Sequence, residues 1–358
     1  MRTFIKGKEL CRRFFYEAAL PIISRKFPGL KYTAGLLGYG SDVLGYDDEV
    51  STDHMWGPRF YLFLREEDMP QKARLMDAFS AELPCEFLGY SVHFSEPHPK
   101  DGGVRHPAPG GGDRVSPLIF MDTAENYVKN YIGYTPGPLT NADWLSFSEH
   151  KLLALQKAEF YLDDLGIQEY LKPLCFYPED VKKYLLASNW SLISEEQAFV
   201  KRQLMTGDRI GSLLTASRIG ERLMRLCFLY CNRYAPYSKW FGRAFGELPV
   251  NPEIQEKIEE ALTNENRRED AIAEAQLLTA ELHDSKKLTP PVHAAIQSYF
   301  GRDIKVIYAD RIADALVHTI KDPHLQQLPL IGSMSEVSNM VRFYDDPSCR
   351  EKIKSLYK

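Results

Sequence analysis

The chain has no run approaching the roughly 20 consecutive apolar residues that cross a bilayer, and its opening stretch, MRTFIKGKELCRRFF, is too charged for a secretory leader. No membrane partner is therefore expected. Cysteine is scarce, with six in 358 residues and no CxxC pair. That excludes a disulfide framework and predicts buried structural thiols in a reducing, cytoplasmic setting. Excess positive charge is also missing, since 44 Lys and Arg face 49 Asp and Glu for a net charge of -5. A protein that grips duplex DNA over a wide surface is not expected from that balance. Two phosphate-binding fingerprints are absent as well. No G-x-x-x-x-G-K-[ST] occurs, and the glycines at 38, 40 and 45 fail the dinucleotide pattern because Val43 stands where it requires glycine. The stretch after Asp42 lacks the oxygen ladder of a calcium loop.

What is present is an ordinary globular balance, 44% hydrophobic and 26% charged, over a length suited to two domains. Residues 8–26 carry a helical period up to the Phe27-Pro28-Gly29 break. An apolar run, YTAGLLGYGS, is followed by the acidic loop DVLGYDDEVSTDHMWGP and the alternating segment RFYLFLR, which reads as a strand. A helix over 70–82 and one or two strands in CEFLGYSVHFS complete this part. Between Glu96 and Pro117 the crowding of Gly and Pro predicts a long surface loop, either a flap or a mobile segment. The 3.6-residue period dominates downstream, interrupted by AEFYLDDLGIQEYL, which reads as a hairpin, and by the late strand DIKVIYA. The expectation is an α+β protein, with a mixed-sheet domain over 1–145 and a mainly helical domain over 146–358.

The chemistry-bearing stretch is Gly40-Ser41 after an apolar strand, then the carboxylate-rich loop ending in Thr52-Asp53-His54-Met55 before a second strand. A Gly-Ser turn lets backbone N–H groups approach a triphosphate. Two carboxylates spaced by two on a strand point to one face and can hold Mg²⁺ for an in-line transfer. These motifs, with GDRIGS, MRL and YAPYSKWFGRAF further on, resemble the family called domain of unknown function 4037, whose relatives include the kanamycin nucleotidyltransferases. The resemblance implies a nucleotidyltransferase fold followed by a helical domain that closes a cleft. It also implies Gly40 and Ser41 as the phosphate-gripping pair, Asp53 as the first metal carboxylate, and Mg²⁺ or Mn²⁺ as cofactor. The second carboxylate falls on Met55, a soft and uncharged ligand ill suited to Mg²⁺. Glu86 is the candidate third ligand, with His93 close behind.

Each candidate has a plainer reading beside it. Gly40 and Ser41 also suit a tight turn without ligand, and Asp53 a cap or salt bridge. Asp47, Asp48 and Glu49 read as a solvated turn or as replacement ligands, and Arg59 as an ion pair or a phosphate contact. Asp208 heads a helix as an N-cap, while kanamycin-type relatives imply a general base from the helical domain. Tyr237 and Lys239, in Tyr-Ser-Lys-Trp, suit nucleobase stacking and charge neutralisation or simple packing. The function expected is transfer of a nucleotidyl group from ATP or another nucleoside triphosphate to a hydroxyl of a small-molecule acceptor. Its rival is a non-catalytic homologue that binds a nucleotide or partner with a degenerate metal site.

Overall fold

The computed structural model describes residues 3–52, 55–109, 112–134, 137–338 and 340–358. The expected α+β architecture is what it contains. The chain divides into two compact units, one of residues up to Gly137 with Lys151–Cys175, the other of Pro138–His150 with Phe176–Lys358.

The first unit is organised by a four-stranded mixed sheet of β1 (Tyr32–Leu36), β2 (Arg59–Leu64), β5 (Leu118–Asp122) and β6 (Glu159–Asp163), in the order β5-β2-β1-β6. β1 runs antiparallel to both neighbours, while β2 and β5 are parallel with Arg59 opposite Leu118. Every residue of β1 is buried, which is why YTAGL reads as an unbroken apolar run and not as an alternation. Gly35 is required there, because a Cβ would meet the Glu159 carbonyl oxygen at 2.5 Å, and the β1–β6 register shifts at the same point. The segment expected to form a hairpin around Asp163 is instead this edge strand, β6. The Asp163 carboxylate then accepts the Ile167 and Gln168 N–H groups, turning the chain into the helix Ile167–Leu171.

The first helical stretch, Gly7–Lys26, packs its apolar face on the sheet and puts Phe14 and Phe15 against Phe60. Its middle, Phe15–Ala19, widens into a π-helical turn. Pro21 supplies the reason: it lacks an N–H and its ring collides with a carbonyl four residues back. A small separate hairpin, β3 (Glu86–Phe87) with β4 (Tyr90–Ser91), turns through Leu88 and Gly89, both at positive φ. The Gly/Pro-rich segment after it is not an unsupported loop in its described residues. Arg105 donates to the carbonyls of Phe94, Ser95, Ser116 and Pro117 and to the Ser116 hydroxyl, folding the segment back on itself.

The second unit is mainly helical. Its long helices are Glu179–Glu196, Arg209–Tyr230 and Arg268–Ser285, joined by one late hairpin of β7 (Gln297–Tyr299) and β8 (Arg302–Val306). A buried polar chain ties the three together. Trp190 Nε1 donates to the Tyr230 hydroxyl at 2.8 Å, which lies 3.0 Å from His283 Nδ1. His283 Nε2 is 2.9 Å from Thr289 Oγ1, whose proton goes to the Pro290 carbonyl. That direction makes Nε2 the donor and Nδ1 the acceptor, so the imidazole is neutral, and burial holds its pKa below the ordinary value. Among the described residues no helix is long and apolar enough to cross a membrane.

Candidate functional site

In the first unit, β1 leads through Gly38 to the turn at Gly40-Ser41, which opens the four-residue helix Ser41–Leu44. Gly40 sits at φ 122°, where an added Cβ would collide with the Asp42 carboxylate and come within 2.9 Å of Arg59 Nη2. The turn is therefore wrapped around an ion pair. Arg59 Nη2 lies 2.9 Å from Asp42 Oδ1, its Nε donates to Oδ2 at 3.1 Å, and Nη2 also donates to the Tyr39 carbonyl at 2.7 Å. Both side chains are sealed, 2% and 1% exposed. Burial alone would lower the guanidinium pKa, but Asp42 outweighs it and raises it. The Ser41 hydroxyl donates to the Ser51 carbonyl at 2.8 Å, bracing the far side of the acidic loop.

Most of the described carboxylates of the acidic loop are already engaged by protein groups. Asp47 is buried, not solvated, and accepts from the Gly7 N–H at 2.6 Å and from Trp56 Nε1 at 3.1 Å. Asp48 Oδ1 accepts from the Val50 and Ser51 N–H groups. Glu49 is exposed. Asp53 and His54 lie outside the described residues. Met55 follows at φ 58°, with its sulfur accepting from the Tyr39 hydroxyl at 3.2 Å. Glu86 is exposed on the β3–β4 hairpin, apart from the four-stranded sheet, and His93 Nδ1 accepts the Ser116 N–H. Mg²⁺ demands a set of oxygen ligands. The described residues do not supply it, since no group of three His, Cys, Asp or Glu converges among them and Asp42 and Asp47 are already engaged.

In the second unit, Asp208 caps the helix Arg209–Tyr230 by accepting the Gly211 N–H at 2.8 Å, and it is exposed. Lys239 is exposed with its ammonium 4.9 Å from the Trp240 ring centroid. Tyr237 is different, because it lines a cavity of about 370 Å³ together with Glu149, His150, Glu221, Arg225 and Phe241. Neither Asp208 nor Lys239 is among its lining residues.

Glu149 is the chemically distinctive member. It is 6% exposed, its Oε1 accepts the Ala235 N–H at 3.0 Å, and its Oε2 lies 3.4 Å from Arg225 Nη1. Its own N–H donates to Ser335 Oγ at 3.0 Å. Burial raises its pKa to about 7, against the pull of Arg225 and the Ala235 N–H and with a further push from Glu336. Arg225 is shared with Glu221 at 3.1 Å, which weakens its hold on Glu149. A carboxylate of that proton affinity, walled by Tyr237 and Phe241, can take a proton from a bound hydroxyl near neutral pH. Sequence reasoning missed it, because its partners Arg225, Ala235 and Ser335 are 76, 86 and 186 residues away.

Residues 144–241 match the model of the family described as Domain of unknown function (DUF4037). Glu149, Arg225, Tyr237 and Phe241 all fall inside that stretch. No curated protein matches the chain. Among solved structures, a nucleotidyltransferase-like protein from Exiguobacterium sibiricum 255-15 is similar, at 13% identity and a TM-score of 0.32, over 75% of this chain and 74% of that one.

Proposed function

We propose that the protein transfers a nucleotidyl group from a nucleoside triphosphate to a hydroxyl of a small molecule held in the cavity of the helical unit. The observation that carries this reading is Glu149, a carboxylate buried in that cavity and poised to titrate at about 7. In the step, the acceptor O–H gives its proton to Glu149 while its oxygen bonds to the α-phosphorus. The bond from that phosphorus to the β-phosphate oxygen breaks, and pyrophosphate leaves. Tyr237 and Phe241 would hold the acceptor's apolar face, and the Arg225 and Ala235 contacts would fix the carboxylate. The test incubates the full chain with each of the four nucleoside triphosphates, Mg²⁺ or Mn²⁺, and a panel of hydroxylated small molecules. Pyrophosphate release and a product heavier by one nucleotidyl group are expected. Absence of both with every triphosphate would overturn the reading.

A second reading, a non-catalytic nucleotide- or partner-binding protein, is favoured by the acidic loop. Met55 stands where the resemblance calls for the second carboxylate, and Asp42 and Asp47 are committed to Arg59, Gly7 and Trp56. Nucleotide binding without turnover would select it. Turnover abolished by Asp53→Asn would reject it.

A further inference from the structure

The cavity that holds Glu149 lies wholly in the second unit, and the helix Arg209–Tyr230 contributes Ser217, Glu221 and Met224 to its lining. Followed towards the helix N-terminus at the same three- and four-residue spacing, that face carries Leu214, Leu213 and Ile210. All three are exposed, at 54%, 39% and 75%. A helix in a globular unit ordinarily turns its apolar stripe inward. The helix Glu253–Thr263 runs antiparallel beside it: an added Cβ on Gly220 would meet Ile258 Cγ2 at 3.1 Å, and Arg209 pairs with Glu265. Leu262, itself a lining residue, therefore comes level with Leu213 and Leu214. Ion pairs border this face, Arg209 with Glu265 and Arg218 with Glu196. An apolar track thus leads out of the cavity, about 16 Å long from Glu221 to Ile210 at the rise of a helix.

Whatever covers the track and also reaches Glu149 must be slender. A helix with its side chains is about 10–12 Å wide, and a cavity of about 370 Å³, with Glu149 only 6% exposed, does not admit one. A second copy of the chain is poorly served as well. Three aliphatic side chains, none fully exposed, offer well under the roughly 800 Å² per partner that a stable interface buries. A hydrocarbon chain meets both demands, because it is narrow and gains from every methylene taken out of water. We propose that the acceptor is an amphiphilic alcohol, with its hydroxyl in the cavity at Glu149 and its apolar chain along Leu262, Leu213, Leu214 and Ile210. The proposal rests on the transfer reading above and narrows its acceptor from any hydroxylated small molecule to one that carries an apolar chain.

The test is calorimetric titration of the full chain with the terminal vicinal diols of butane, hexane, octane and decane, below the concentrations at which they form micelles. No nucleotide is present, so the result is indifferent to whether transfer occurs. A methylene fully removed from water tightens binding about fourfold, and one lying on an open track should give roughly twofold. Affinity should therefore rise at each step of the series. Leu213→Ser with Leu214→Ser should remove the gain beyond the hexane diol and leave the butane diol unchanged, whereas Leu213→Met with Leu214→Met should keep it. Equal affinity across the series, no binding of any member, or a gain that survives the double serine replacement would overturn the assignment. A wild type that sediments as a dimer and a double serine variant that sediments as a monomer would overturn it too, by giving the track to a second copy. Transfer to short acceptors without dependence on chain length would remove the amphiphile and leave the enzyme reading intact. Chain-length-dependent binding without transfer from any triphosphate would remove the enzyme reading and leave the apolar site standing.

Discussion

Replacing Asp42 with Asn removes one charge from the pair that supports the Gly40-Ser41 turn and leaves the Arg59 guanidinium buried opposite a neutral amide. The cost follows from the geometry. An exposed ion pair contributes about 0–1 kcal/mol, but these side chains are 2% and 1% exposed, the contact is two-pronged, and Arg59 Nη1 has no hydrogen-bond partner among the described residues. Breaking such a buried pair costs about 3–5 kcal/mol. Because the chain has two units, a single melting temperature would mix their transitions. Hydrogen exchange of the β2 amides reports the opening of the first unit directly. Asp42→Asn should accelerate that exchange by roughly a hundred- to several-thousand-fold, and the double replacement Asp42→Asn with Arg59→Met should recover part of the loss. The reasoning is refuted if Asp42→Asn changes β2 exchange by less than about fivefold, a surface-pair value. Nucleotide affinity lost in Arg59→Met with exchange unchanged would make Arg59 a phosphate ligand instead.

Glu149→Gln should abolish the rise of transfer rate with pH centred at about 7, and a variant that keeps that limb would show another base at work. The same group acts on stability, because a carboxyl raised from its ordinary 4.5 to about 7 binds its proton more tightly when folded. The stability it contributes is complete below 4.5 and lost as pH rises through 7, by about 3 kcal/mol, and Glu149→Gln should flatten that slope in denaturant titrations of the second unit. His283 has the opposite sign. Its folded pKa lies below the ordinary 6.5, so the unfolded chain takes up protons first and stability falls on acidification below 6.5. His283→Gln should lose less between pH 7.5 and 5.5 than the wild type, and an equal loss would place the titrating group elsewhere. Divalent-metal affinity should be weak in the wild type. Met55→Asp should tighten Mn²⁺ binding measured by titration, at a position whose φ of 58° suits Asp better than Met; no gain would mean that side chain points away from the site.

Local pattern made the elements legible. Alternation in RFYLFLR gives β2, CEFLGYSVHFS read as one or two strands gives β3 and β4, and Asp208 before an apolar helix gives its cap. Pairing across the chain was not legible. β6 looked like half of a local hairpin because nothing in AEFYLDD says that its partner is β1, some 125 residues earlier in the chain and open at Gly35 to receive it. The same limit governs the site. Arg59 read as an ion pair or a phosphate contact; it forms an ion pair, and the partner, Asp42, was read from the sequence only as part of a loop. Glu149 acquires its proton affinity from burial by three distant segments, so a residue that looks like any helix-opening Glu has its pKa raised to about 7.

The discontinuous makeup of the first unit bears on how the protein is made and divided. Its sheet is finished by β6, which arrives only after Pro138–His150 has been contributed to the other unit. A ribosome that has released the first 137 residues has therefore produced three of the four strands, with β1 still an open edge of unpaired N–H and C=O groups. Until residue 163 emerges, that nascent intermediate is a target for chaperones and for pairing with other chains. A fragment cut at the apparent change from mixed to helical sequence would inherit the same open edge and should aggregate, whereas one ending after Cys175 carries its own closing strand. Recombination that treated residues 1–145 as a portable module would separate β1 from the strand that completes it.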